Sequence, residues 1–147
     1  MAIPFRFEKI LTIKQKEKEH VQMSYEVAVK SFEKEATKLY ELLRKKEMFD
    51  EHTEQELNSG LSIIGIKQQQ LFRNALERDI SKAQIDVMQT RNIMLTKQEE
   101  LLDQNVEVKK FEKMKEKAFK LQYANLLNLE SKLMDDLSLQ QFVNRNL

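Results

Sequence analysis

The chain has 147 residues, 33% charged, with a formal net charge of +1, two glycines, one proline and neither cysteine nor tryptophan. Abundant Glu, Lys, Leu and Gln with so little Gly or Pro argue for long helices and against a compact layered fold. The balanced charge supplies no global field for nucleic acid or a membrane, and the lack of cysteine rules out a disulfide framework and fits a reducing compartment.

The N-terminal MAIPFRFEKI has neither the apolar core nor the small-residue cleavage site of a secretory signal. No stretch approaches the roughly 20 apolar residues of a membrane span. The expectation is a soluble, cytoplasmic chain that reaches a membrane only through a partner. Pro4 suits a helix entry, because its missing N–H would be unpaired there anyway. The first helix is predicted over about 5–57. After Phe7, Ile10 and Leu11 comes a polar gap at Lys14 to Glu19. Val21, Tyr25, Ala28, Phe32, Ala36, Leu39 and Leu43 then follow at steps of three or four. That spacing averages nearer about 3.7 than 3.5 residues, which predicts a nearly straight helix.

The run fades through Phe49 into Asp50, Glu51, Glu54 and Glu56, then meets Asn58-Ser59-Gly60-Leu61-Ser62. Both glycines, Gly60 and Gly65, fall here, so a hinge is predicted over about 58–65. Gly60 reads as a residue just past a helix end, and Ser62 as an N-cap. A short link between two long amphipathic helices makes them antiparallel neighbours.

The second helix is predicted over about 66–134, and Leu76 to Leu133 contains no proline or glycine. Ile80, Val87, Met94, Leu101 and Val108 recur every seven residues, the signature of a coiled coil. Met88, Leu95 and Leu102 form a row beside them and are expected to widen the stripe. Three residues on from the main row stand Ala83, Thr90, Lys97 and Gln104, of which only Ala83 is apolar. Polar residues on a seam set register at a cost in stability, and also leave the middle of the pair loose enough to repack. At about 1.5 Å per residue, a 58-residue helix would run roughly 85 Å, a rod with a thin core. Asp135-Asp136 and Ser138 mark a possible break before a tail over about 135–147. The tail either overhangs as a single helix or folds back.

Folding at the hinge predicts that paired residue numbers sum to about 120. Phe32 then meets Val87 or Met88, Leu39 lies near Ala83, and Phe7 reaches Phe111 or Met114. Ile63, Ile64, Ile66, Leu71, Phe72 and Leu76 cluster at the hairpin tip, either closing it or presenting a patch to a partner. The fold class is therefore all-α: a long two-helix antiparallel coiled coil in one domain, a helical hairpin.

Nothing points to catalysis. His20 and His52 are too far apart for a helical metal-ligand pair, and both read as solvated helix residues. The carboxylates alternate with lysines, as on an exposed face. No phosphate loop, nucleophile elbow or Cys/His grouping is present, so no metal, no cofactor and no enzyme activity are expected. The most polarised stretch is KKFEKMKEKAFK at 109–120, with six lysines against two glutamates. Lys109, Lys110, Lys113, Lys115, Lys117 and Lys120 alternate there with Phe111, Met114 and Phe119. This basic amphipathic segment suits a protein surface better than nucleic acid, since it lacks arginine; the alternative is a solvated face with its phenylalanines packed inward.

FRFEKIL at 5–11, the Ser-Gly hinge followed by QQLF at 69–72, NVEVKKFEKMKEKAFK at 105–120 and MDDLSLQQF at 134–142 occur in this order in one chain. Together they resemble the flagellar export protein FliJ family, in the form found in Gram-positive bacilli. The resemblance covers essentially the whole chain, and its most specific parts are the basic run and the MDDLSLQQF tail. It implies a two-helix coiled coil similar to the stalk subunit of F-type ATPases. It implies insertion of the end where the N- and C-terminal parts meet into the hexameric flagellar export ATPase, promoting ring assembly. It further implies contact with the membrane export-gate protein and handling of empty export chaperones.

On that resemblance the six lysines from Lys109 to Lys120 are the ring contact, and Phe72 and Leu76 match the apolar gate contact. Asp79 and Ala83, farther along the same face, match the family pattern poorly. No nucleic acid and no direct membrane insertion are implied. The other reading is a general coiled-coil scaffold or chaperone-like binding protein unconnected with flagella.

Overall fold

In the computed structural model, which describes residues 6–146, the chain is all-α. Helix α1 spans Glu8–Ser59 and helix α2 spans Ile63–Asn146. The two run antiparallel against each other as a coiled-coil hairpin. Pro4 and Phe5, read from sequence as the helix entry, lie outside the described residues. At the start of α1, the Leu11 amide donates to the Phe7 carbonyl at 2.9 Å. Glu8 in the first turn sets a negative charge against the positive end of the helix dipole.

The link between the helices is only Gly60 to Ser62, shorter than the hinge expected over 58–65. Asn58 and Ser59 stay helical, with the Ser59 hydroxyl donating to the Gln55 carbonyl at 2.9 Å. Gly60 ends α1 with φ of +91°, a conformation in which a Cβ would be strained. Ser62 Oγ then accepts from the Gly65 amide at 3.1 Å, the N-cap bond that starts α2. Gly65 sits inside the first turn for packing: a Cβ there would stand 2.9 Å from the Leu61 side chain.

Two compact units divide the chain. The unit spanning His20–Leu102 holds the turn, and its core is Ala28, Leu76, Ile80 and Ala83. Phe49 lies against Phe72 with centroids 4.7 Å apart. Polar pairs cross the same seam. Lys46 meets Glu77 at 3.8 Å, Arg73 meets Asp50 at 3.7 Å, and the Gln69 amide donates to the Glu56 carboxylate. These pairs keep the register near the sum of about 120 that an antiparallel hairpin with this turn requires. Beside Ala83 the groove is lined by Glu35, Lys38, Leu42, Lys82 and Asp86.

The other unit joins the N-terminal stretch through Glu19 with the chain from Asp103 onward. Leu11 and Val108 are its buried residues. Phe7 meets Phe111 edge-on at 6.4 Å, the contact the register predicts, and the Lys115 ammonium donates to Glu8 at 3.0 Å. From Tyr123 to Asn146 every residue is exposed, so in this unit α2 runs on as a single helix. The helix passes through Asp135, Asp136 and Ser138, where sequence suggested a break before a tail. In a helix those residues cost only tenths of a kcal/mol each, far less than Gly or Pro, about 1 and 3.

One row of α2 lies elsewhere than expected. Ile80 and Val108 are buried, and Val87, Met94 and Leu101 half-buried, so the main row faces α1. The row beside it does not widen that contact: Met88 is 65% exposed, Leu95 44% and Leu102 59%. Ala83, Thr90, Lys97 and Gln104 take the inner positions instead. A coiled-coil seam alternates steps of three and four, so a partner one helical face can meet collects the three-residue step and excludes the adjacent residue.

The inner polar residues are accommodated unequally. Thr90 donates to the Asp86 and Val87 carbonyls of its own helix, and Lys97 reaches Glu100 at 3.5 Å. Gln104 Oε1 is buried without a hydrogen-bond partner among the described residues. A buried unpaired amide oxygen costs about 1–3 kcal/mol, so Gln104→Leu is expected to stabilise the protein by about 1 kcal/mol. Thermal melts followed at 222 nm check this; an unchanged or lower midpoint would contradict the assignment.

Candidate partner-binding surfaces

The basic segment is placed by α2 in the unit that contains the N-terminal stretch. Its apolar and charged residues divide by helical period. Phe111 and Met114 are half-buried toward α1, while Lys109, Lys110, Lys113, Lys117 and Lys120 are exposed. At 100° per residue these five fall within about one third of the helix circumference. Lys115 stands apart from them, half-buried, paired to Glu8 and 5.9 Å from the centre of the Phe119 ring.

Lys120 pairs with Glu116 one turn back at 3.1 Å. Lys109, Lys110, Lys113 and Lys117 make no ion pair among the described residues. Of the six lysines singled out from sequence, four therefore form an uncompensated cationic face, one is locally neutralised and one is a structural tie between the helices. The signal for that tie was present in the register, which brings Glu8 opposite this region, but side-chain direction was needed to see which lysine takes it.

The apolar cluster at the turn divides in the same way. Leu76 is 3% exposed and Phe72 44%, with the Phe72 ring tilted against Phe49 and the Lys45 ammonium 5.7 Å from its ring centre. Ile66 is half-buried, whereas Ile63, Ile64 and Leu71 are exposed. The cluster is thus divided: Leu76 and Ile66 help close the tip, whereas Ile63, Ile64 and Leu71 lie at the surface. Phe72 leaves part of its side chain at the surface. Leu76 is covered.

The two histidines are apart and differently placed. His52 Nε2 lies 2.7 Å from Glu56 Oε1 near the turn. His20 lines an open groove with Met23, Val27, Ala28, Thr90 and Ile93, a feature sequence reading did not single out. Met23, Val27 and Ile93 are exposed there, and only the packed geometry shows that they share one side. Among the described residues no three His, Cys, Asp or Glu side chains cluster as metal ligands. No described helix is long and apolar enough to cross a membrane.

Residues 3–147 match the family described as "Flagellar FliJ protein". The chain is 43% identical over 143 residues to the Flagellar FliJ protein of Bacillus subtilis (strain 168), an alignment that covers 97% of each chain. No solved structure matches. With the family match covering nearly the whole chain and this identity holding across 97% of a relative, the chain belongs to the FliJ family of flagellar proteins.

Proposed function

We propose that this flagellar export component is the stalk of the export ATPase: it enters the ATPase ring by the unit holding both chain ends, promotes ring assembly and activity, and connects the ring to the membrane export gate and to empty export chaperones. The observation that carries this reading is the one-sided face of Lys109, Lys110, Lys113 and Lys117, exposed and without an internal counter-charge. A ring interior lined with carboxylates would complement it. Exposed pairs of this kind contribute only about 0.2–1 kcal/mol each, so the face governs encounter and register more than affinity.

The long exposed helix beyond Gln122 supports the same reading, because it extends an unpartnered helix from the same unit. Lys115 has a different part in this scheme. Its bond to Glu8 ties α1 to α2 beside the cationic face and holds that face in place. At the turn, Phe72 supplies the gate contact, and Leu76 keeps the Phe72 turn seated on α1. The work is mechanical and adhesive, and it places the chain at the cytoplasmic face of the membrane through its partners.

The reading is tested by steady-state ATP hydrolysis by the export ATPase of the same organism with this protein titrated in. Stimulation is expected to saturate at about one copy per ATPase ring, with assembled rings visible by mass photometry. Replacing Lys109, Lys110 and Lys113 with Glu is expected to reduce that stimulation at least about tenfold at low salt, where electrostatic encounter is strongest, with helicity unchanged. Full stimulation by the triple variant would remove the lysine face from the mechanism. Absence of any complex with the ATPase would leave the scaffold reading in its place.

The gate assignment has its own measurement. Phe72→Ala is expected to weaken binding to the gate protein while the hairpin stays folded, whereas Leu76→Ala should lower stability by about 2–3 kcal/mol through the cavity it opens. Retained gate binding by a folded Phe72→Ala variant would place that contact elsewhere.

A further inference from the structure

The outward row on α2 is a second seam with nothing packed on it. Ile85 is 56% exposed, and Met88, Leu95 and Leu102 follow it at steps of three and seven. Together they form an apolar stripe over 85–102, about 27 Å of helix. The α1-facing residues of the same stretch, Val87, Met94 and Leu101, lie on another side. A helix needs one seam to pair with α1, so a second row at coiled-coil spacing has no use in this fold.

Charge identifies what covers it. Arg91 and Glu99 stand one turn before and one turn after Leu95, both exposed, and neither makes an ion pair among the described residues. Asn92 and Gln98 lie symmetrically inside them, also exposed. The stretch is therefore complementary to its own reverse. We propose that this face binds a second copy of the chain, with the two α2 helices antiparallel about a two-fold axis near Leu95.

In that arrangement Leu95 meets its counterpart and Met88 meets Leu102 of the other copy. Arg91 faces Glu99 twice, and the Asn92 and Gln98 amides face one another. A parallel in-register pair would instead set Glu99 beside Glu99 and Arg91 beside Arg91, which is electrostatically unfavourable. Isologous pairing of this kind is the commonest way soluble chains self-associate. Three large apolar side chains per copy, Met88, Leu95 and Leu102, meet across it, an interface at the small end of specific complexes, so the dimer forms and dissociates with concentration. The ring-stalk reading plays no part in this inference.

Sedimentation equilibrium of the full chain over about 1–200 µM tests it, a range that spans the affinities expected of small interfaces. The weight-average mass is expected to rise from one chain toward two. Arg91→Glu and Glu99→Arg, each alone, create two like-charge contacts and should weaken association about tenfold, while the double variant should restore it. Leu95→Lys should abolish it with helicity unchanged. A single-chain mass throughout would overturn the proposal and leave this seam to a different protein. A dimer indifferent to the single charge reversals would overturn the antiparallel register, because in a parallel pair those reversals exchange one like-charge contact for another. A dimer that survives Leu95→Lys would place the interface elsewhere.

Discussion

Two helices packed side by side can bury only one stripe of each, and in this chain that stripe is narrow. Leu11, Ala28, Leu76, Ile80, Ala83 and Val108 are the buried apolar residues among those described, with no buried charged residue beside them. Two of the six are alanines, which let the helices approach but contribute little apolar area. The seam is therefore supplemented at its margins by the Phe49–Phe72 and Phe7–Phe111 ring pairs and by ion pairs that cross from one helix to the other. Such pairs fix register more than they add stability, and register decides which residues face out.

That consequence runs through both candidate surfaces. Because Phe111 turns toward Phe7, the lysines on the opposite side of the same turns are held away from α1 and kept in water. Because Leu76 fills the seam, the neighbouring Phe72 is held at its edge with part of its ring exposed. Neither surface needs a concave pocket. Each is a face of a helix whose other face is committed to packing, and specificity rests on spacing along the helix. The chain belongs to the FliJ family, and the stalk role proposed for it uses faces of this kind.

The polar inner positions and the apolar outer ones form a second theme. An optimised two-helix seam would put leucines where Thr90, Lys97 and Gln104 stand, and polar residues where Met88, Leu95 and Leu102 stand. This chain does the reverse at three successive heptads. Thr90 and Lys97 satisfy themselves locally, whereas Gln104 leaves a carbonyl oxygen unpaired. The cost is borne by a seam already thin, and the outward apolar row exposes surface that monomeric folding does not require. The proposed pairing of two copies would give the outward row a use.

The sequence by itself determined the helical class, the site of the turn, the antiparallel pairing and its register. These follow from short-range chemistry: glycine tolerates the left-handed conformation at residue 60, Ser62 caps the start of α2, and heptad spacing persists across both flanking stretches. The lysine-rich segment and its division from the interleaved phenylalanines were equally legible, because helical period is local. Only the tertiary structure decided that the second apolar row on α2 turns away from α1 instead of widening the contact, because that depends on how the partner's side chains step between the two rows. It also decided that Lys115 is a tie to Glu8 rather than part of the open cationic face, and that Leu76 is covered while Phe72 is not. Each of those outcomes depends on side chains from residues more than twenty positions away in the chain, and periodicity within one helix carries no information about them.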